Sequence, residues 1–361
     1  MKIILNGATC GTNFGDYLFA QMFQDRVSER IGKENVYWYS SRYALSDFYA
    51  DNLDNRKEYK LSKMDGMVCI SGGYFCGDDK TVKDYIRRYL RYFKLADACI
   101  RRKIPYAIIG LEVGISKSVI LQAVQKRILK RANVLVVRNT PSFECLKKMG
   151  INNGVCTADT VFAMDRAIFE GKSVPDGLFV EGEKSLLFHI YPVRSKNERL
   201  TANIIPTVKA FIKDHPEYTV ILTADQWSAE LESELQRIST LIEGKVKTYK
   251  YHDPIALCAV IDKADLVITP KLHVGIVGAR LGRSVVSFCD HVEKVSRLYA
   301  QLGESERSIP ISELTVEKGV QMLEKYCDKP ISVPEEITAA ARINLETLDK
   351  FIDGLSEINK H

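Results

Sequence analysis

Lys271-Leu272-His273 follows the apolar run Leu266–Thr269 and a proline. An ammonium and an imidazole thus stand two residues apart. The imidazole titrates near neutrality, so it can give or take a proton, while the ammonium is a compact positive charge. A glycine-bearing helical pattern covers 274–281, and a second apolar run follows at 285–288. Helix N-termini present unpaired N–H groups, so these features together form an anion site with proton-transfer capacity. Two buried strands around one helix make a βαβ unit, which requires a parallel sheet. Ligands of such sheets sit beyond the carboxyl ends of the strands, and Lys271 and His273 fall at that edge.

Other polar residues occupy comparable places. Arg138 ends the apolar run Val134–Val137, just before Thr140-Pro141, a cap with proline in the first helical turn. A guanidinium there either grips a carboxylate or phosphate through two parallel hydrogen bonds or closes a salt bridge at the sheet edge. Asp159, after a short apolar stretch, either orients a ligand hydroxyl or caps the next turn. His291 and Lys294 stand beyond 285–288, near the edge of His273. His189 lies inside an apolar run and reads as a core or edge residue. His215, His252 and His361 fall in a loop, a turn and the terminus.

Glycines punctuate two strand-to-helix turns. In NGATCGTNFGDY, Gly7, Gly11 and Gly15 have neither the dinucleotide nor the phosphate-loop spacing. They still let backbone amides approach a ligand, with Asn13 and Asp16 placed to touch it or to cap the helix. Ser71-Gly72-Gly73 repeats that logic. The tandem Asp78 and Asp79 have no histidine neighbours, and no metal site is expected there.

These residues need elements to hold them. Strands are expected at 2–5, 36–39, 67–71, 106–110, Val134–Val137, 186–190, 219–223, 247–249, Leu266–Thr269 and 285–288. Helical patterns cover 16–31, 140 to Gly150, and about 200–214, 227–242, 254–263 and 274–281. The expected class is α/β: two Rossmann-like domains with mostly parallel sheets facing a cleft. The divisions are 1–165, a polar linker at 166–184, 185–330, and a C-terminal helical segment at 331–361.

Composition bounds the partners. The 361 residues are 46% hydrophobic and 27% charged, a globular balance with room for two domains. A net charge of +5 suits an anionic substrate or peripheral contact with acidic lipid, and is too weak to argue for nucleic acid. Arg87-Arg88-Arg91 and Arg101-Arg102-Lys103 read as solvated helix faces, with acidic lipid as the second reading. The 9 cysteines are odd in number and form no CxxC pair, which fits reduced thiols. No secretory leader and no apolar run of membrane-spanning length is evident, so a cytoplasmic protein is expected, with the inner membrane face as an alternative place of action.

Taken in order, several of these residues resemble the polysaccharide pyruvyl transferase family over roughly residues 1 to 303. They are Asn13, Gly15 and Asp16; Ser71-Gly72-Gly73; Gly110; Arg138 with Ser142; Asp159 with Phe162; the Lys271-Leu272-His273 turn; and Lys294. The resemblance implies two Rossmann-like domains of the GT-B-like kind. It also implies a reaction in which phosphoenolpyruvate and a sugar give a pyruvate ketal on two hydroxyls, releasing phosphate. Arg138, Lys271, Lys294, Gly72 and Gly73 would then bind the donor. His273 would be a general acid or phosphate contact, Asp16 the base toward the acceptor, and Asn13 and Asp159 acceptor contacts. Phosphoenolpyruvate would be a co-substrate, with no cofactor and no metal, and the acceptor a sugar or lipid-linked oligosaccharide. The chain departs from the family at Lys271 (usually arginine), at Tyr74 (usually glycine), at Leu111-Glu112-Val113 (usually a glycine pattern) and near Asp290-His291 (usually a tyrosine). A GT-B-type glycosyltransferase using a nucleotide sugar is the alternative function, and a non-catalytic sugar- or anion-binding protein the second alternative.

Overall fold

A computed structural model describes residues 1–40, 45–76 and 80–358; Asp78, Asp79 and His361 lie outside them. The chain forms two compact units. One comprises Met1–Thr12, Asp16–Ala163 and Glu335–His361, the other Asn13–Gly15 and Met164–Pro334.

The first unit is built on β1 (Ile3–Asn6), β2 (Val36–Trp38), β3 (Gly66–Cys69), β4 (Gly72–Phe75), β5 (Tyr106–Val113), β6 (Val134–Val137) and β7 (Val155–Cys156). Their order is β2-β1-β3-β5-β6-β7, all parallel. β5 is buried along its whole length, as expected of a strand covered on both faces. β3 pairs with its first half and β4 with its second, so the strand expected at 67–71 is β3, ending at Cys69, and the expected glycine turn runs on past a break at Ile70-Ser71 as the further strand β4. β5 also continues past Gly110, where the sequence reading stopped it. Gly110 has φ +67°, and the register against β6 shifts around it. An added Cβ would lie 2.1 Å from Ser71 Oγ and 2.7 Å from Thr160 Oγ1, so glycine permits both the backbone turn and the approach.

The second unit contains β8 (Lys184–Ile190), β9 (Tyr218–Ala224), β10 (Val246–Thr248), β11 (Leu266–Thr269), β12 (Ser284–Cys289) and β13 (Ser308–Pro310). The order is β10-β9-β8-β11-β12-β13, again parallel throughout. The anticipated βαβ unit is β11, the helix Leu272–Arg280 and β12, with Leu266 opposite Ser284 and Thr269 opposite Ser287. The edge strands β7 and β13 were missed because they are two and three residues long and lack an apolar run.

The stretch 166–184, expected as a linker, packs on the second unit. Arg166 Nη2 lies 2.9 Å from Asp262 Oδ1, Lys172 Nζ donates to Asp253 Oδ2 at 2.7 Å, and Leu178 is buried. Its polar residues are the ones that tie it down. The helix Glu335–Ile358 belongs to the first unit. There its buried Asn344 donates to Ala158 O and accepts from Thr157 Oγ1, both at 3.0 Å.

Candidate functional site

Three neighbouring strands of the second unit end in one polar network. The register places His189 of β8 opposite Thr223 of β9, and Ile268 of β11 opposite Phe188. Asp225 follows β9, Thr269 closes β11, and Lys271 caps the helix Leu272–Arg280 in extended conformation without a side-chain cap bond. Lys271 N–H donates to Thr269 Oγ1 at 3.0 Å, turning the chain into the helix. Lys271 Nζ stands 3.4 Å from Asp225 Oδ2 and 5.2 Å from the centre of the Tyr191 ring. His189 Nε2 is 3.3 Å from Asp225 Oδ1, and its Nδ1 is 2.9 Å from Thr269 Oγ1.

Proton placement follows from this geometry. A carboxylate only accepts, so an unprotonated ring nitrogen facing it would set lone pair against lone pair. The tautomer with its proton on Nε2 suits that carboxylate, and it leaves Nδ1 to accept at 2.9 Å from Thr269 Oγ1. Asp225 is buried, which on its own would raise its pKa, but Lys271 and then His189 outweigh burial and hold it well below the usual carboxylate range. One carboxylate thus anchors a lysine and a histidine from opposite sides.

His273 is the second residue of the helix and half-buried. An added Cβ on Gly15, within the short segment grouped with this unit, would lie 2.0 Å from His273 Nδ1. The missing side chain is what leaves room for the imidazole. Phe14 N–H donates to Asp225 O at 2.9 Å, holding that segment. Tyr191 Oη donates to Asp290 Oδ2 at 3.2 Å. Burial and the Asp290 charge both push that phenol upward, keeping it a donor. A cavity of about 410 Å³ opens beside Asp290, lined also by Asn203, Cys289 and Ser312; Lys271 and His273 do not line it. Lys294 and His291 are exposed, on and just before the helix Val292–Gln301 that follows β12.

In the first unit, the alternative left open at Arg138 is answered by an ion pair. Its buried guanidinium donates through Nη1 to Asp159 Oδ2 at 2.8 Å and through Nη2 to Glu112 Oε2. Burial alone would ease its proton off, but Asp159 and Glu112 together keep it charged. Two carboxylates around one guanidinium leave the cluster net negative. Of the two readings of Arg138, the structure shows the salt bridge at the sheet edge, and an incoming anion there would compete with two carboxylates. Asp159 holds Arg138 and accepts from Val161 N–H at 3.1 Å, capping the turn Thr160–Ala163.

Gly72 and Gly73 lie in β4 on the same sheet. A Cβ on Gly72 would meet the Tyr74 ring at 2.9 Å, with Asp16 Oδ1 at 3.8 Å. Tyr74 Oη donates to Ile70 O at 2.6 Å and fills the break between β3 and β4. Asp16 and Asn13 are both half-buried, Asp16 with the first unit and Asn13 with the second. Among the described residues, no group of three His, Cys, Asp or Glu is arranged to hold a metal ion.

Sequence reasoning missed Asp225 and Glu112 and discounted His189. Asp225 had a readable signal, because it directly follows the apolar run 219–223 at the carboxyl edge. Glu112 had none, since the sequence reading ended β5 two residues earlier.

The sequence model of the polysaccharide pyruvyl transferase family matches residues 13–288. No curated protein matches significantly. The fold is similar to a Neisseria meningitidis UDP-GlcNAc 2-epimerase bound to UDP-GlcNAc, with TM-score 0.64, 12% identity, and 97% of this chain and 100% of that one covered. A Methanocaldococcus jannaschii UDP-GlcNAc 2-epimerase in complex with UDP-GlcNAc and UDP gives TM-score 0.58 at 13% identity over 97% and 100%. A UDP-N-acetylglucosamine 2-epimerase from Rickettsia bellii gives 0.61 at 10% over 100% and 98%. At such identities the likeness carries the fold alone, a GT-B-like pair of α/β units.

Proposed function

The chain belongs to the polysaccharide pyruvyl transferase family, and on that premise we propose that it builds a pyruvate ketal on a sugar, with phosphoenolpyruvate as donor. The methylene carbon of the donor takes a proton, which makes C2 electrophilic. One sugar hydroxyl adds to C2 and gives up its proton. The second hydroxyl then displaces phosphate, so two C–O bonds form, one breaks, and the two hydroxyl protons end on the methyl carbon and the phosphate.

The observation that carries this reading is the pairing of Lys271 with His273 at the N-terminus of Leu272–Arg280, inside the matched region. Phosphoenolpyruvate is strongly anionic near neutral pH. The helix N–H groups and Lys271 supply positive potential, and His273 supplies a proton at the same place. Asp225 and His189 set where the ammonium points, which suits a lysine standing where the family usually carries arginine. Lys294 would add charge from the next helix. Asp16 would take a hydroxyl proton and Asn13 would contact the acceptor, with Gly72 and Gly73 giving backbone access. Arg138 and Asp159 are assigned to holding the first unit's sheet edge. The nine cysteines are all free, which suits a reducing cytoplasm as the place of action.

Nucleotide-sugar chemistry is the second reading, favoured by neighbours named for UDP-GlcNAc. Thermal-shift measurements separate the two: stabilisation by phosphoenolpyruvate and none by UDP-sugars is expected. Phosphate release with a panel of galactose, mannose and N-acetylmannosamine acceptors then distinguishes an enzyme from a binding protein.

A further inference from the structure

One helical layer of the first unit is strongly basic and also exposes aliphatic side chains. It comprises the helices Val82–Arg88, Lys94–Arg102 and Val119–Arg131. The π-helical stretch Tyr89–Phe93 joins the first two, and the third packs against that stretch and the second helix. From Lys80 to Arg131 there are fourteen lysines and arginines against Asp84, Asp97 and Glu112. This stretch alone exceeds the +5 of the whole chain, so the remainder is net acidic.

Exposed aliphatics concentrate here too. Val82 is 71% exposed, Ile86 55%, Ile115 49%, Val119 78% and Ile120 80%, five of the eleven large apolar side chains so exposed among the described residues. Val82 and Ile86 sit one turn apart, interleaved with the exposed Lys83 and Arg87. Val119 and Ile120 open their helix, with Ile115 and Lys117 just ahead. The two groups rise from neighbouring strand ends: Gly114 N–H donates to Phe75 O at 3.2 Å, and Gln125 Nε2 bridges Phe75 O and Gly114 O.

We propose that this layer docks on an anionic lipid bilayer, with the Val and Ile tips among the headgroups and the basic side chains on the phosphates. Aliphatic tips set among lysines and arginines match an interfacial surface, where apolar burial and attraction to acidic lipid add. Nucleic acid fits less well, because these tips offer no ring on which a base could stack. A second copy of the face would meet its own charge. No described helix is long and apolar enough to cross a membrane, so the contact is peripheral. The inference rests on the pyruvyl-transfer reading only for its purpose, which would be to meet a lipid-carried acceptor.

The test is vesicle co-sedimentation of the full chain, without substrate. Binding is expected to phosphatidylcholine vesicles containing phosphatidylglycerol, to be much weaker to phosphatidylcholine alone, and to fall with salt. Val119→Ser/Ile120→Ser and, separately, Lys83→Glu/Arg87→Glu should each weaken it by about tenfold or more, with unchanged melting and unchanged phosphate release on a water-soluble acceptor. Equal binding to both vesicle types, or wild-type binding by both variants, overturns the proposal. So does finding that the same substitutions abolish duplex DNA binding or self-association instead. Vesicle binding that follows the expected pattern in a protein that releases no phosphate would leave the docking intact and remove the pyruvyl reading.

Discussion

Asp225 holds Lys271: the carboxylate lies 3.4 Å from the lysine ammonium on one side and 3.3 Å from His189 Nε2 on the other. The lysine at the mouth of the candidate donor site is thus oriented by a buried anion. Two consequences can be measured at Asp225 itself.

Asp225→Asn removes the anion and leaves Lys271 without its partner. Breaking such a buried pair costs about 3 kcal/mol at neutral pH. Because the folded pKa of Asp225 is depressed, its stabilisation is present above the unfolded value near 4 and is lost as pH falls through the lower folded value. Urea unfolding of wild type and variant should therefore show a gap that is full at pH 7 and narrows below about pH 4. A gap independent of pH would remove the electrostatic account. If the lysine acts in donor binding as proposed, the same variant should raise the KM for phosphoenolpyruvate more than it lowers kcat.

Lys271→Ala should raise the donor KM by about tenfold or more, the loss of one charge-assisted contact, while acceptor KM stays put. Lys271→Arg should keep activity, because a guanidinium satisfies the same contacts with a wider fork. Steady-state kinetics with each substrate varied in turn checks both.

Gly15→Ala places a methyl where the His273 ring stands. The imidazole and its Cβ must both shift, so kcat should fall by more than tenfold at temperatures where the variant remains folded, a misplaced proton donor being costly even when the fold survives. Unchanged turnover would show that His273 need not occupy its observed position.

Arg138→Met strands Glu112 and Asp159 as two buried carboxylates. The expected loss is about 3–5 kcal/mol at neutral pH. Without the guanidinium those carboxyls take up protons more readily, so the deficit should shrink as pH falls. If Arg138 were a donor contact instead, the variant would melt normally and lose phosphoenolpyruvate binding.

The sheets were legible because parallel strands are buried on both faces and leave apolar runs such as Leu266–Thr269. The Lys271 and His273 part of the site was legible because the βαβ pattern fixes which end of a strand faces ligand. His189 was discounted for a sound local reason, since a histidine in an apolar strand usually belongs to the core. Its role appears only when β9 is placed beside β8, a pairing of residues far apart in sequence. Arg138 shows the converse limit: a strand-end arginine looks identical in sequence whether a ligand or a carboxylate from a neighbouring strand satisfies it. Residues 166–184 read as linker because ion pairs to Asp262 and Asp253 use the same polar residues that loops do.

The most direct test of the central claim is phosphate release from phosphoenolpyruvate, with and without the sugar panel, in wild type and His273→Ala. The account predicts acceptor-dependent release in wild type, a loss of about a hundredfold or more in the variant, and retained thermal stabilisation by the donor. Undiminished release in the variant, or stabilisation of wild type by UDP-sugars and not by phosphoenolpyruvate, would contradict it.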